Sequence, residues 1–453
     1  MSIRLLLLLG TLLATFSTQA YYGRYSTEAT LTFTGQIEVF KREKPTLKRI
    51  KKDSRVKKLI KLQVDHLTGY FQAKSFSKKY GLKGILGDEY SFSINKIKKG
   101  KLKNQYLLSY DFKGKTSFEK KIFKNRKKIT VPLRLPINPK TVYKKTLKRG
   151  KSTCTDEEYN AEEDFFYFWD PYQKGCPLGR DFKAVPKIKA MLTPIKNTRW
   201  SYPEYDKLFG DNGNGKDLEI YIFVGYMEKL KTYDYPNKKD ESYDTYKKIK
   251  SGLKRKGLKL VKEEKNFRLY DHLDDIHDGY EGSNMLSEFK KTVKFNGKTA
   301  HIKIKLLLAD TNISSEDETF HFFYEKALKT ADIIEYEGHS GLGANLSLKE
   351  LEINRLNKRK YQLIFFNACS TYKYFNEEYI KAKGGTKNLD IILSGLPTYS
   401  DSAANNSLAF LRTFLDAKAL TYQTIISRLE DSSNDGPFLY SVVGDEDNSW
   451  QPQ

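Results

Sequence analysis

From residue 218 onward, short apolar runs alternate with helical ones, and this alternation constrains the fold more tightly than anything else in the chain. The runs starting at Leu218, Ile302, Ile333, Leu363, Ile391 and Phe438 are strand-length and rich in β-branched and aromatic residues. Helical spacing of apolar side chains lies between several of them, over 316–330, 348–357, 403–417 and 422–429. Strands separated by helices have length enough for crossover connections, so the segment predicts a mostly parallel, six-stranded sheet with helices on both faces. In open α/β sheets of this kind, ligands bind beyond the carboxyl ends of the strands.

Two successive strands end in reactive residues. Ala331-Asp-Ile-Ile-Glu-Tyr-Glu-Gly leads to His339, Ser340 and Gly341, and Tyr361-Gln-Leu-Ile-Phe-Phe-Asn-Ala leads to Cys369. If the strands are neighbours, their ends lie ~4.8 Å apart, which brings an imidazole and a thiol within mutual reach. A thiolate is the competent sulfur nucleophile, and a nearby histidine generates or stabilises it. The cysteine inventory agrees. Cys154 and Cys176 are close in sequence and form the expected disulfide in an oxidising compartment, leaving Cys369 as the odd thiol.

The paired motifs Tyr336-Glu-Gly-His-Ser-Gly and Phe366-Asn-Ala-Cys-Ser-Thr, in this order and strand context, resemble the clan CD (caspase-like) cysteine peptidases. The style is closest to the gingipain, clostripain and CHAT-type proteases. Ser394-Gly-Leu-Pro is similar to the next core strand of that fold, and Tyr440-Ser-Val-Val-Gly-Asp to its closing strand. The resemblance covers about residues 218–447. It implies a caspase-like fold and an endopeptidase in which Cys369 attacks the scissile carbonyl and His339 is the base. It also implies an oxyanion hole made by backbone N–H groups at Ser340 or Gly341 and at Cys369. One departure stands out: the family has Gly directly after His, whereas this chain has Ser340, which would be ill suited to positive φ. Asp310, Ser394 and Tyr399, which follow strand ends, are candidates for the substrate pocket.

Other chemistries fit less well. Gly338-His-Ser-Gly resembles part of a serine-hydrolase nucleophile elbow, but that fold needs a histidine after the serine, and no histidine follows Ser340. Asp271-His-Leu-Asp-Asp-Ile-His-Asp concentrates ligand-type residues without matching a common zinc signature. Asp211-Asn-Gly-Asn-Gly-Lys-Asp looks calcium-like, yet Ile222 falls where an EF-hand loop needs its bidentate Glu. The expectation is therefore no required cofactor, with calcium the candidate ion if one binds.

The rest of the chain sets compartment and partners. Residues 1–20 combine Arg4, an apolar stretch and a small-residue end, the pattern of a cleaved signal peptide. No later segment approaches the ~18 apolar residues of a membrane span. An exported product, periplasmic or secreted, is expected. Residues 21–148 read as a β-rich domain, a sandwich or barrel. Residues 149–217 read as an irregular connection carrying the disulfide, and 218–453 as the α/β domain. The net charge of +24 is densest over 41–61, where eleven Lys or Arg face only Glu43 and Asp53. Such a field favours anionic partners, but no specific nucleic-acid module is present. Beside a peptidase acting on protein or peptide substrates stands one alternative: an inactive caspase-like scaffold whose basic β domain binds the cell envelope or an acidic partner.

Overall fold

In the computed structural model, residues 25–452 are described except for 82, 125, 141–146, 149–150, 153, 155–168, 196–199, 211–216, 232–233, 270–281 and 434–437. The signal-peptide reading of residues 1–20 and the ligand-rich stretches 211–216 and 271–278 lie outside the described residues.

The amino-terminal unit is built on β1 (Ser26–Phe40), α1 (Leu47–Lys52), α2 (Ser54–Gln72), α3 (Lys74–Tyr80), β2 (Gly84–Lys99), β3 (Gln105–Glu119) and β4 (Ile129–Arg134). A two-residue ladder, β5 (Leu147–Lys148) with β6 (Lys151–Ser152), precedes the Cys154–Cys176 disulfide. β7 (Lys187–Pro194) then returns to pair with β1 and β4, giving a five-stranded antiparallel sheet in the order β2-β3-β1-β7-β4. The expected sandwich or barrel is thus a single open sheet with a helix on one face. Val56, Ile60, Val64, Leu67 and Phe71 recur at helical spacing and are buried with the sheet residues Leu31, Leu108 and Leu192. The dense lysine run therefore lies partly on the solvent side of an amphipathic helix, with Lys57 and Lys58 exposed.

The second sheet is formed by β8 (Asp217–Gly225), β9 (Lys259–Phe267), β10 (Asn284–Phe295), β11 (Lys298–Ala309), β12 (Ile333–Gly338), β13 (Gln362–Ala368), β14 (Leu389–Leu393) and β15 (Ser441–Val443). Its order is β15-β14-β13-β12-β8-β11-β10-β9. The pairs β14/β13, β13/β12, β12/β8 and β8/β11 are parallel, and the outer pairs are antiparallel. Each of the six expected runs contributes a strand. The sheet has eight strands rather than six because β9 and β10 extend the β11 edge by antiparallel pairing, which needs no crossover helix.

β12 and β13 are buried on both faces, β13 through a near-continuous apolar sequence and β12 with Glu335 and Glu337 buried among apolar residues. Ile333, Leu363 and Phe365 face one core with α5 (Glu241–Arg255), α8 (Ser400–Leu415) and α9 (Tyr422–Ser432). Ile334, Ile364 and Phe366 face another with α6 (Thr319–Thr330) and α7 (Glu377–Lys383). A short α4 (Tyr205–Phe209) precedes β8. The expected helix over 348–357 is a series of turns: Glu352 sits at φ 56°, and Leu348 N–H donates to the Glu378 carboxylate instead of propagating a helical ladder.

The two units meet behind the end of β13. Tyr372 OH donates to Glu28 Oε1 at 2.7 Å, and Lys373 Nζ lies 2.7 Å from Asp65 Oδ1. Glu377 N–H donates to Asp88, and Ile85 of β2 joins the α6/α7 core. Among the described residues, no helix is long and apolar enough to cross a membrane.

Candidate active site

Gly338 and Ala368 are directly paired in the parallel β12/β13 ladder, so His339 and Cys369 emerge side by side from adjoining strand ends. Both line one cavity of about 210 Å³, together with Met227, Asn367, Pro397, Thr398 and Tyr399. Four neighbouring strands deliver these groups in sheet order: Met227 follows β8, His339 follows β12, Cys369 follows β13 and Thr398 follows β14. The site lies at the carboxyl edge of the sheet, as the topology requires.

The backbone fixes the histidine tautomer. His339 Nε2 is 2.7 Å from the Met227 carbonyl oxygen, and a carbonyl only accepts, so Nε2 carries the hydrogen. In the neutral ring Nδ1 is then the basic nitrogen. Met227 is itself held by Asp240, a buried residue whose carboxylate accepts from the N–H groups of Met227 and Glu228 and from Ser242 N–H at the start of α5. One side chain thus caps a helix and locks the loop that orients the imidazole.

The turn after His339 is equally tied. His339 O accepts from Tyr336 OH at 2.7 Å and from Asn345 Nδ2 at 3.0 Å. Ser340 has φ −74°, so the departure from glycine at this position carries no backbone penalty. Positive φ falls one residue later, on Gly341 at 55°, where a Cβ would stand 2.4 Å from Asn345 Oδ1. The N–H groups of Ser340 and Gly341 precede the first bond of the turn, Gly343 N–H to Ser340 O, and are in the position left without a partner inside any helical turn.

Cys369 is half-buried, and its Sγ lies 3.9 Å from Thr398 O. Burial pushes the thiol above its ordinary value, against smaller opposing effects from the backbone at Thr398 and at Cys369 itself. Cys369 therefore rests as a thiol rather than a thiolate.

A hydrogen-bonded carboxyl, Glu337, also lines the cavity. Glu337 accepts from Asn367 Nδ2 at 2.7 Å, and Asn367 Oδ1 accepts from Tyr440 OH at 2.6 Å. Burial, and then the neighbouring Glu335, push Glu337 well above the usual carboxylate range.

Of the expected pocket residues, Tyr399 lines the cavity and two do not. Asp310 turns back on its own loop, accepting from Asn312 N–H at 3.0 Å, because an aspartate at a strand end readily closes an Asx turn. Ser394 is fully buried beneath the site, where its hydroxyl donates to Ala368 O and meets Thr371 Oγ1. It supports the end of β13 from below. Met227 and Asp240 were not singled out from the sequence. The helix-start pattern of Asp240 followed by Glu241 and a periodic apolar run was the available signal for the second. Among the described residues, no group of three or more His, Cys, Asp or Glu side chains is placed to hold a metal ion.

No protein-family model matches this chain, and no curated protein matches it.

Proposed function

We propose that the chain is an exported cysteine endopeptidase of caspase-like type, with Cys369 as nucleophile and His339 as base. The observation that carries this reading is the shared cavity: an unpaired thiol and a tautomer-locked imidazole emerge from in-register neighbouring strands. Because Cys369 rests as a thiol, His339 acts as a general base at the moment of attack. Nδ1 takes the Sγ proton as the S–C bond forms, and the imidazolium returns that proton to the amine as the C–N bond breaks. Water then adds to the thioester, giving its proton to His339, and the thiol is restored when the S–C bond breaks. The N–H of Cys369 and those at Ser340 and Gly341 are the donors for the oxyanion. The disulfide is consistent with export.

One observation favours the alternative of a non-catalytic scaffold: burial holds the thiol above its ordinary value in the resting state. A single comparison separates the two. A diverse peptide library is incubated with wild type, Cys369→Ala and His339→Ala, and cleavage is read by mass spectrometry. The peptidase reading requires products from wild type that both variants lose. Equal cleavage by wild type and Cys369→Ala, or none by either, refutes it.

A further inference from the structure

A second concavity, of about 580 Å³, adjoins the thiol cavity and shares Pro397 and Tyr399 with it as a common wall. Its opposite side comes from the amino-terminal unit: Lys74 and Lys78 of α3, Lys83 before β2, and Tyr172 with Lys174 beside the disulfide. All four lysines are exposed, and none takes part in an ion pair among the described residues. The one carboxylate among the described lining residues, Asp170, is buried and accepts from Ser75 N–H, Ser75 Oγ and Tyr172 N–H. Among the described residues lining the groove, the exposed charges are therefore all positive. Tyr172 and Tyr399 are 45% and 51% exposed, offering aromatic faces to an extended chain.

Resting on the peptidase reading, we infer that this groove binds an acidic segment of the protein substrate next to the bond that Cys369 cleaves. The concavity and its continuity with the thiol cavity suit an extended peptide better than a flat membrane surface. Complementary charge adds on-rate and selectivity, and the exposed lysines disfavour basic flanks. The amino-terminal unit would then be part of the substrate-binding surface. A cut between residues 140 and 155 would not free it, because β7, after that segment, is paired between β1 and β4.

The test uses the best library sequence, synthesised with three glutamates or three glutamines added on either side. On one side, the acidic extension should lower KM about tenfold with kcat nearly unchanged, the scale of several exposed ion pairs acting together. The advantage should vanish in 0.5 M salt and in the triple variant Lys74→Glu, Lys78→Glu, Lys174→Glu, with circular dichroism reporting that the variant is folded. Equal KM values for acidic and neutral peptides on both sides would overturn the inference. Fluorescence anisotropy of the labelled acidic peptide on Cys369→Ala keeps the two readings separable. Binding without cleavage by wild type upholds the groove and refutes the peptidase, whereas cleavage without acidic preference does the reverse. Displacement of the peptide by heparin or an oligonucleotide at far lower concentration would reassign the groove to those polyanions and sink the proposal.

Discussion

Replacing Asp65 by Leu should loosen the segment that follows Cys369, and the structure sets the size of the effect. Asp65 and Lys373 are 2.7 Å apart, with side chains 12% and 7% exposed, so neither charge has much access to water. Unit charges at that separation attract by about 6 kcal/mol at an effective dielectric of ~20, and desolvation offsets much of this. Removing one partner strands the other and costs about 3–5 kcal/mol. Lys373 lies four positions after Cys369 in the 3-10 turn Thr371–Lys373, so the cost should appear as local opening there. A chain with two cores need not unfold in one step, and local amide hydrogen exchange is therefore the suitable assay. Asp65→Leu and Lys373→Met should each accelerate exchange over 370–376 by about 100- to 4000-fold, a factor of ten per ~1.4 kcal/mol. The double variant leaves no stranded charge and should move back toward wild type. If its acceleration equals the product of the two singles, the residues are not coupled and the bracing argument is wrong.

Four further outcomes are expected. Asp240→Ala should cost about 1 kcal/mol of stability through the lost cap and lower kcat about tenfold or more with KM little changed, while Asp240→Asn retains the cap; full activity in Asp240→Ala would remove Met227 from the account. Alkylation of Cys369 by iodoacetamide should be slower than that of a free thiol near pH 7 and climb steadily above it, since burial raises its pKa and the thiolate fraction grows only with pH; a rate plateau below neutrality would mean a preformed ion pair. Burial raises Glu335, and pushes Glu28 up to about 7, so the stability each contributes is complete below the ordinary carboxylate range and is lost as pH rises through the folded value. Melting temperature should therefore fall between about pH 5 and about pH 8.5, and fall less in Glu335→Gln, with no difference between the slopes counting against a buried ionising carboxyl. Gly341→Ala should reduce activity by at least about tenfold, because φ 55° disfavours a side chain and the new Cβ collides with Asn345; an unchanged kcat would show that this turn is not needed.

Much of the candidate site was readable before any coordinates. Parallel strands buried on both faces are apolar along most of their length, so β12 and β13 announce themselves in Ile333-Ile-Glu-Tyr and Leu363-Ile-Phe-Phe. Strand polarity then places His339 and Cys369 on one edge. Less was readable in the amino-terminal unit, where a lysine-rich stretch hides the helical spacing of Val56, Ile60, Val64, Leu67 and Phe71. The run from Leu348 has helix-forming composition, yet tertiary bonds hold it in turns, including Leu356 N–H to Ala382 O. Asp310 and Ser394 were expected at the pocket because they follow strands, but a position after a strand does not say which way a short side chain turns.

Sequence alone determined the alternation that builds a parallel sheet, the strand ends that carry the thiol and the imidazole, and the two cysteines that pair. These follow from local patterning, in which every deciding residue is a near neighbour in the chain. Only the tertiary structure decided that the Met227 carbonyl sets the His339 tautomer across 112 residues, and that Asp65 braces Lys373 across 308. It also decided that lysines from the first unit and Tyr399 from the second line one groove. Such pairings depend on how two cores dock, and no local period in the sequence encodes that.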